Sequence, residues 1–271
     1  MIFTVDVEDW FTNGRSIQID SWDGYELKVE QNVYKILDLL EMHKVKGTFF
    51  ILGWIAYKRP NLVRDIYQRG HEIASHGYSH MLVYTQSYDE FRQDIRKSKI
   101  LLEDIIGEGV YGYRAPCFSI TKWAYQILEE ENFLYSSSIV PHNYHPLYSK
   151  VNLEETKYPF IQVNNKFFEF PLPAYKIFKM NIPWGGGGHF RLYPYSLYKY
   201  GLNKIKNVEN SFVFYIHPYE IDLNQSSLKN NIDLHSLLGS YGIKTTYKKL
   251  TSLLNDFKFT SIREAFPCIS P

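Results

Sequence analysis

The sequence predicts an α/β fold, a parallel sheet or barrel with helices outside and its functional groups at the C-terminal ends of the strands. Three observations lead there. Short β-branched or aromatic runs alternate with stretches of helical periodicity. Carboxylates, imidazoles and a guanidinium stand directly after four of those runs, where α/β folds carry their chemistry. No internal repeat or linker divides the 271 residues, so 1–271 is read as a single domain.

The elements follow in order. "IFTVDV" at 2–7 is apolar and β-branched, a buried strand. A polar, aromatic loop runs through "NGRSIQIDSWDGY". Within 29–43, Val33, Ile36, Leu37 and Leu40 share one face of an amphipathic helix. "GTFFILG" at 47–53 is a second strand, and "PNLVRDIYQRG" at 60–70 a helix with Pro near its start and Gly at its end. "HEIAS" is a third strand. Ser87 and Glu90 form a capping-box pattern ahead of Phe91, Ile95 and Leu102, and that helix should reach about Gly107. The strand "YGYRA", the helix "TKWAYQILEEE" and the strand "FLYSSSI" continue the alternation. Between about 140 and 190 the pattern loosens, with a β excursion at "FFEFPLP" and the glycine run of "PWGGGGHF". A helix near 195–207, the strand "SFVFYIH", a helical region at 235–254 and a last strand "FKFTSI" complete the chain.

Composition narrows the function. Thirty basic and 29 acidic residues give a formal charge of +1, so no nucleic-acid partner is expected. Aromatics reach 17%, with 23 Tyr, which suits contact with sugar rings and leaves room for a contact between copies of the chain, a homo-oligomer. The two cysteines, Cys117 and Cys268, have the spacing of neither a metal knuckle nor a disulfide framework, and both are expected as thiols. The start "MIFTVDVEDW" lacks a signal-peptide pattern and no apolar stretch has bilayer length, so the expectation is a cytoplasmic protein without stable membrane insertion.

The chemistry collects at strand ends. Asp6, Glu8 and Asp9 close the first strand; His76 and His80, one helical turn apart in sequence, follow the third. Arg114 ends "YGYRA" and His217 ends "FVFYIH". Each cluster alone has a bland reading: a solvated strand end, capping histidines, a packed core histidine. Their alignment at strand ends favours a site. A carboxylate with two imidazoles makes a metal site with open positions, suited to activating water.

In their order, "TVDVED", "GHEIASHGYSH", "YRAPCFSI" and "FYIHPYEID" resemble the motifs of the polysaccharide deacetylases, carbohydrate esterase family 4, from Met1 to about Asp222. The nearest style is the subgroup with allantoinase-like and intracellular-type deacetylases and proteins encoded with exopolysaccharide loci. The resemblance implies a deformed (β/α) barrel with a reduced number of strands and its active site at the C-terminal ends of the strands. It also implies metal-dependent removal of the N-acetyl group from an N-acetylated sugar, in a cell-surface polysaccharide or its precursor. It implies Asp6 as catalytic base, Arg114 as the residue pairing with that base, and His217 as the acid that protonates the leaving amine. His76 and His80 become the metal-binding pair for one divalent ion, zinc foremost. Ile216 would line the pocket for the acetyl methyl, and the backbone after Pro116 would help bind the oxyanion.

The chain departs from the family pattern at two points. Where much of the family has adjacent aspartates, Asp6 is followed by Val7, Glu8 and Asp9. Glu8 is the preferred metal ligand, sharing a face with Asp6 while the strand continues, and Asp9 becomes an alternative carboxylate if the strand ends at Val7. The family's tryptophan motif has no clear counterpart; Trp184 either takes that substrate-binding place or packs beneath a glycine-rich loop, where His189 is a further candidate contact. Two other readings stand beside deacetylation: a ring-opening amidohydrolase on a cyclic ureide, and a non-catalytic glycan-binding protein.

Overall fold

The strand at 2–7 becomes an inner strand of the sheet, second from one edge. The computed structural model describes residues 1–12, 17–141, 148–149, 151, 160–164, 166–177, 180–209, 211–224 and 241–269. Strand β1 (Ile2–Val7) is buried along its whole length, as its unbroken apolar and β-branched character requires. It pairs in parallel with β2 (Thr48–Ile51) on one side and β10 (Val213–Ile216) on the other. Beyond β2 come β3 (Glu72–Ser75), β4 (Gly112–Tyr113), β5 (Tyr135–Ser136) and β7 (Phe168–Glu169), all parallel, with β6 (Ile161–Gln162) as an antiparallel edge. The result is a curled, incomplete (β/α) barrel.

The helices lie between these strands: α1 (Val29–Met42), α2 (Gly53–Lys58), α3 (Pro60–Gln68), α4 (Tyr88–Ile106), α5 (Lys122–Glu130), α6 (Gly187–Leu192), α7 (Tyr195–Glu209) and α8 (Ile243–Asp256). Helix α4 shows the link from sequence to structure most directly. The Ser87 hydroxyl accepts the Glu90 N–H at 3.3 Å, and the Glu90 carboxylate accepts the Ser87 N–H at 2.8 Å. At the other end Gly107 takes the left-handed conformation, φ 75°, that only glycine adopts freely. Phe91, Ile95 and Leu102 turn inward between these caps.

Alternation along the strands then sorts the side chains. Phe49 and Ile51 join the large apolar cluster beneath the helices, while Phe50 faces an interior cluster with Phe118, Tyr135, Phe170 and Tyr215. Asp6 lies opposite Phe50 in register, so its carboxylate belongs to that interior side.

The structure departs from the sequence reading in three places. Helix α2 starts directly after β2, where only a strand end was expected. An antiparallel hairpin, β8 (Ala174–Ile177) with β9 (Met180–Pro183), occupies part of the loosened region. "FKFTSI" makes one bridge, Ile2 to Thr260, and then stops, because Ser261 caps a short helix at Ile262–Ala265. Positions 235–240 of the expected helical region lie outside the described residues, as does the side chain of Cys268; Cys117 is present as a half-buried thiol. Among the described residues no helix is long and apolar enough to cross a membrane.

Candidate active site

The carboxyl ends of β1, β3 and β10 open into one cavity of about 250 Å³, lined among others by Asp6, Glu8, His76, His80, Arg191 and His217. The four sequence clusters therefore do meet.

Asp6 lines the floor and Arg114 stands behind it. Both are buried, and the Arg114 Nη1 donates to Asp6 Oδ1 at 2.6 Å. Arg114 is fixed on every side: Nη1 also reaches the Thr4 hydroxyl at 2.8 Å, Nε the Ser137 carbonyl at 2.8 Å, and Nη2 the Ser137 hydroxyl at 2.8 Å. Its guanidinium lies 4.1 Å from the Phe50 ring centroid. A buried ion pair needs hydrogen bonds of this kind to offset its desolvation.

β1 ends at Val7, the condition under which Asp9 became an alternative to Glu8. The structure nevertheless directs Glu8 to the cavity. The chain turns at Glu8, whose N–H reaches back to the Asp6 carbonyl at 3.0 Å, so the next side chain points away. Asp9 is spent elsewhere: it accepts the N–H groups of Trp10 (2.9 Å), Lys28 (2.7 Å) and Val29 (2.8 Å), holding the first turn of α1.

Glu8, His76 and His80 can present ligand atoms within 4.8 Å of one another. These residues fit a divalent ion on three counts. Glu8 Oε2 is buried and has no hydrogen-bond partner, although it stands 2.6 Å from His80 Nε2. The His76 Nδ1 is hydrogen-bonded to the Arg114 carbonyl at 2.8 Å; as a donor it leaves the Nε2 lone pair facing Glu8. Burial, aided by His80, lowers the His76 pKa to about 3, so its ring is neutral, as a ligand must be. Burial alone would raise Glu8, but the neighbouring imidazoles, His80 foremost, more than reverse this and hold it below the usual range.

The two histidines are not on a helical turn, as their spacing invited. Residues 76–80 form a loop, with Gly77 at φ 72° and His80 at φ 56°. Asp94 of α4 accepts the Tyr78 and Ser79 N–H groups at 2.8 and 3.0 Å. Sequence reading passed over Asp94, although a carboxylate beside the inward stripe of α4 was a visible oddity.

His217 stands on the far side of the cavity. Its Nε2 lies 3.4 Å from Glu8 Oε1 and 3.8 Å from Asp6 Oδ2. Glu220 accepts the His217 N–H at 3.0 Å and approaches its Nδ1 at 3.2 Å, while Arg191 Nε donates to Glu220 at 2.7 Å. Tyr219 stacks on the His217 ring at 4.9 Å. Burial alone would lower His217, but Glu220, Glu8 and Asp6 outweigh it and raise its pKa to about 9. Burial likewise opposes ionisation of Glu220, yet Arg191 and His217 bring it down to about 2. Glu220 follows His217 by three residues and was legible as part of "HPYE"; Arg191, 26 positions earlier, was not.

Two expected substrate contacts, Ile216 and Trp184, are corrected. Ile216 is fully buried in the core, and its neighbour Tyr215 lines the cavity instead, because successive strand residues face opposite ways. Trp184 packs: it is 3% exposed, donates to the Tyr198 carbonyl at 2.9 Å and stacks between Tyr193 and Tyr198. Pro116 is buried and shapes a tight turn, with Ala115, Cys117 and Phe118 facing the cavity around it. Cys117 and Phe118 both have left-handed φ, 50° and 54°, a strain found where structure over-determines a site. The glycine run brings the chain close to β10 rather than to a ligand at Gly186, where a Cβ would collide with the Tyr215 carbonyl. From this segment Gly188 and Arg191 line the cavity, and His189 does not.

Known proteins are similar to this chain in sequence and in fold. Residues 16–135 match the family model of polysaccharide deacetylases, and residues 137–267 match a domain of unknown function, DUF3473. A peptidoglycan-N-acetylglucosamine deacetylase of Bacillus cereus is 39% identical over 100 residues, 37% of this chain and 36% of that protein. A peptidoglycan-N-acetylmuramic acid deacetylase of Bacillus subtilis is 30% identical over 102 residues, 37% of this chain and 34% of that protein. The matched stretch thus spans about a third of these relatives. A crystal structure from Mycobacterium smegmatis, assigned to the polysaccharide deacetylases, superposes with a TM-score of 0.65 at 20% identity, covering 99% of this chain and 88% of that one. That of a peptidoglycan N-acetylglucosamine deacetylase gives 0.52 at 18% identity, covering 97% and 86%. The structural likenesses establish the fold; the family model and the curated relatives support membership of the polysaccharide deacetylase family.

Proposed function

We propose that the protein is a metal-dependent N-deacetylase acting on an N-acetylated sugar of a peptidoglycan-like glycan. The observation that carries this reading is the meeting, in one cavity, of a paired carboxylate, a three-residue metal site and an oppositely placed histidine cation. Relatives named for peptidoglycan deacetylation supply the substrate class.

Glu8, His76 and His80 would hold one divalent ion, proposed to be zinc, whose preferences for imidazole and carboxylate they meet. Such an ion supplies Lewis acidity toward the acetamide carbonyl and the attacking water. Asp6, held by Arg114, takes the proton from that water as its oxygen bonds to the carbonyl carbon. His217 gives its proton to the departing nitrogen as the C–N bond breaks, yielding acetate and the sugar amine. Ala115, Phe118 and Tyr215 provide the less polar wall of the cavity, suited to the acetyl group.

The test is acetate release from N-acetylglucosamine oligomers and peptidoglycan fragments by zinc-supplemented protein, with Asp6→Asn as control. Release by the native protein and its loss in the variant are expected. No release from any N-acetylated glycan, or ring opening of a cyclic ureide instead, overturns the assignment.

A further inference from the structure

We propose that helix α4 is the clamp that preorganises the metal-ligand loop, with Asp94 as a positioning residue for His76 and His80; this rests on reading Glu8, His76 and His80 as a metal site.

The loop cannot hold its own shape. Between β3 and the turn at Val83–Thr85, residues 76–80 belong to no helix or strand, and two of the five have left-handed φ. One of these is His80 itself, a non-glycine for which that conformation costs energy. An external frame must fix it, and its backbone groups show what the frame is. The Tyr78 and Ser79 N–H groups both go to the Asp94 carboxylate, which also accepts the Ser79 hydroxyl. The Gly77 N–H goes to the Ser75 hydroxyl at 3.2 Å, which pairs with the Ser98 hydroxyl at 2.9 Å. Asp94 and Ser98 are four apart, neighbours on one face of α4, so a single helical turn grips the loop twice.

The loop carbonyls are held from the other side. Gly53 and Trp54, the start of α2, donate to the carbonyls of Gly77 (2.8 Å) and Tyr78 (3.1 Å). No side chain larger than hydrogen fits at Gly53, where a Cβ would meet the Tyr78 Cα at 3.0 Å. Outside, the Lys97 ammonium covers the Tyr78 ring at 3.4 Å. Asp94 is the one member of this frame that accepts three donors. Asparagine would offer a single acceptor oxygen and turn an amide N–H₂ toward backbone N–H groups.

Metal affinity in the stripped protein reads this role directly, by titration with Zn²⁺ against a chromophoric chelator. Asp94→Asn and Asp94→Ala are expected to weaken binding by ~10–100-fold, the usual effect of removing an outer partner of a metal ligand. The visible spectrum of the Co²⁺ form should change with them. Ile95→Val loosens the same helix without touching the loop, and it should leave the affinity within about twofold of native, a loss of one buried methylene costing stability alone. Asp94 variants that bind Zn²⁺ as tightly as the native protein overturn the proposal, as does an equal loss in Ile95→Val. If Asp94→Ala does not fold, Ser79→Ala removes one of the three bonds and must still weaken binding. Native protein that binds no Zn²⁺ fails differently: it removes the metal site itself, and the variants then have nothing to position.

Discussion

The cavity has two histidine corners, and they are tuned in opposite directions. His76 sits among burial and another imidazole, with its Nδ1 tied to a carbonyl, and its pKa falls to about 3. His217 is also enclosed, yet three carboxylates face it and its pKa rises to about 9. At neutral pH the first is a neutral donor of a lone pair and the second a cation with a proton to give. Environment, not residue type, separates ligand from acid. The supports differ in kind as well. A helix holds the metal corner through backbone N–H groups, whereas the acid corner hangs on an ion pair, Arg191 with Glu220.

Removing a ligand should break the comparison most severely. His80→Ala is expected to lose stoichiometric metal and about 10³-fold or more in turnover, the several kcal/mol a metal contributes. Metal analysis beside acetate assay checks it, and full metal occupancy in the variant would refute the metal corner. His217→Ala should cost about 10²–10⁴-fold on the amide while keeping its metal. An O-acetyl ester, whose leaving group needs less protonation, should be spared; equal losses on ester and amide would refute the acid corner.

Glu220→Gln gives a smaller and more informative effect, on pH dependence. The folded His217 value, about 9, exceeds the ordinary 6.5, so the native protein keeps a proton that the unfolded chain releases. Stability from this group is therefore complete below pH 6.5 and lost as pH rises through about 9. Without the Glu220 charge, burial dominates, and the alkaline limb of turnover should move to lower pH. A bound divalent ion also offsets Glu8, so the limb of the metal form should lie below that of the stripped protein's His217 titration by NMR. An unmoved limb in Glu220→Gln would show that Glu220 does not set the acid. The smallest effect belongs to Asp9→Ala, which should keep metal and lose about 1 kcal/mol of stability, as for a lost helix cap. Loss of metal instead would reassign the ligand from Glu8.

The alternation of strands and helices was legible because each long element carries its own signals, as Ser87, Glu90 and Gly107 do around α4. The cavity residues were legible because strand ends collect them. What sequence could not supply was direction. Glu8 and Asp9 are adjacent carboxylates, and only the turn at Glu8 sends one to the cavity and the other to α1. Trp184 next to four glycines resembled a substrate contact, but the stacking partners Tyr193 and Tyr198 lie beyond the glycine run. Arg191 was hidden for the same reason: its partner Glu220 is set by the fold, not by spacing.

The place of β1 has a consequence for how the molecule comes into being. Its register joins Ile2 to Val213 and Val5 to Ile216, so this strand waits for a partner made far later in the chain. Until then one edge of an apolar strand is unpaired, a template for any other extended chain. During synthesis the metal ligands can gather first, since Glu8, His76 and His80 all precede His217 in the chain. The proton donor arrives only with His217. A nascent chain would thus pass through a stage able to capture an ion but not to turn over substrate, with the closing of β10 onto β1 as the event that converts one into the other.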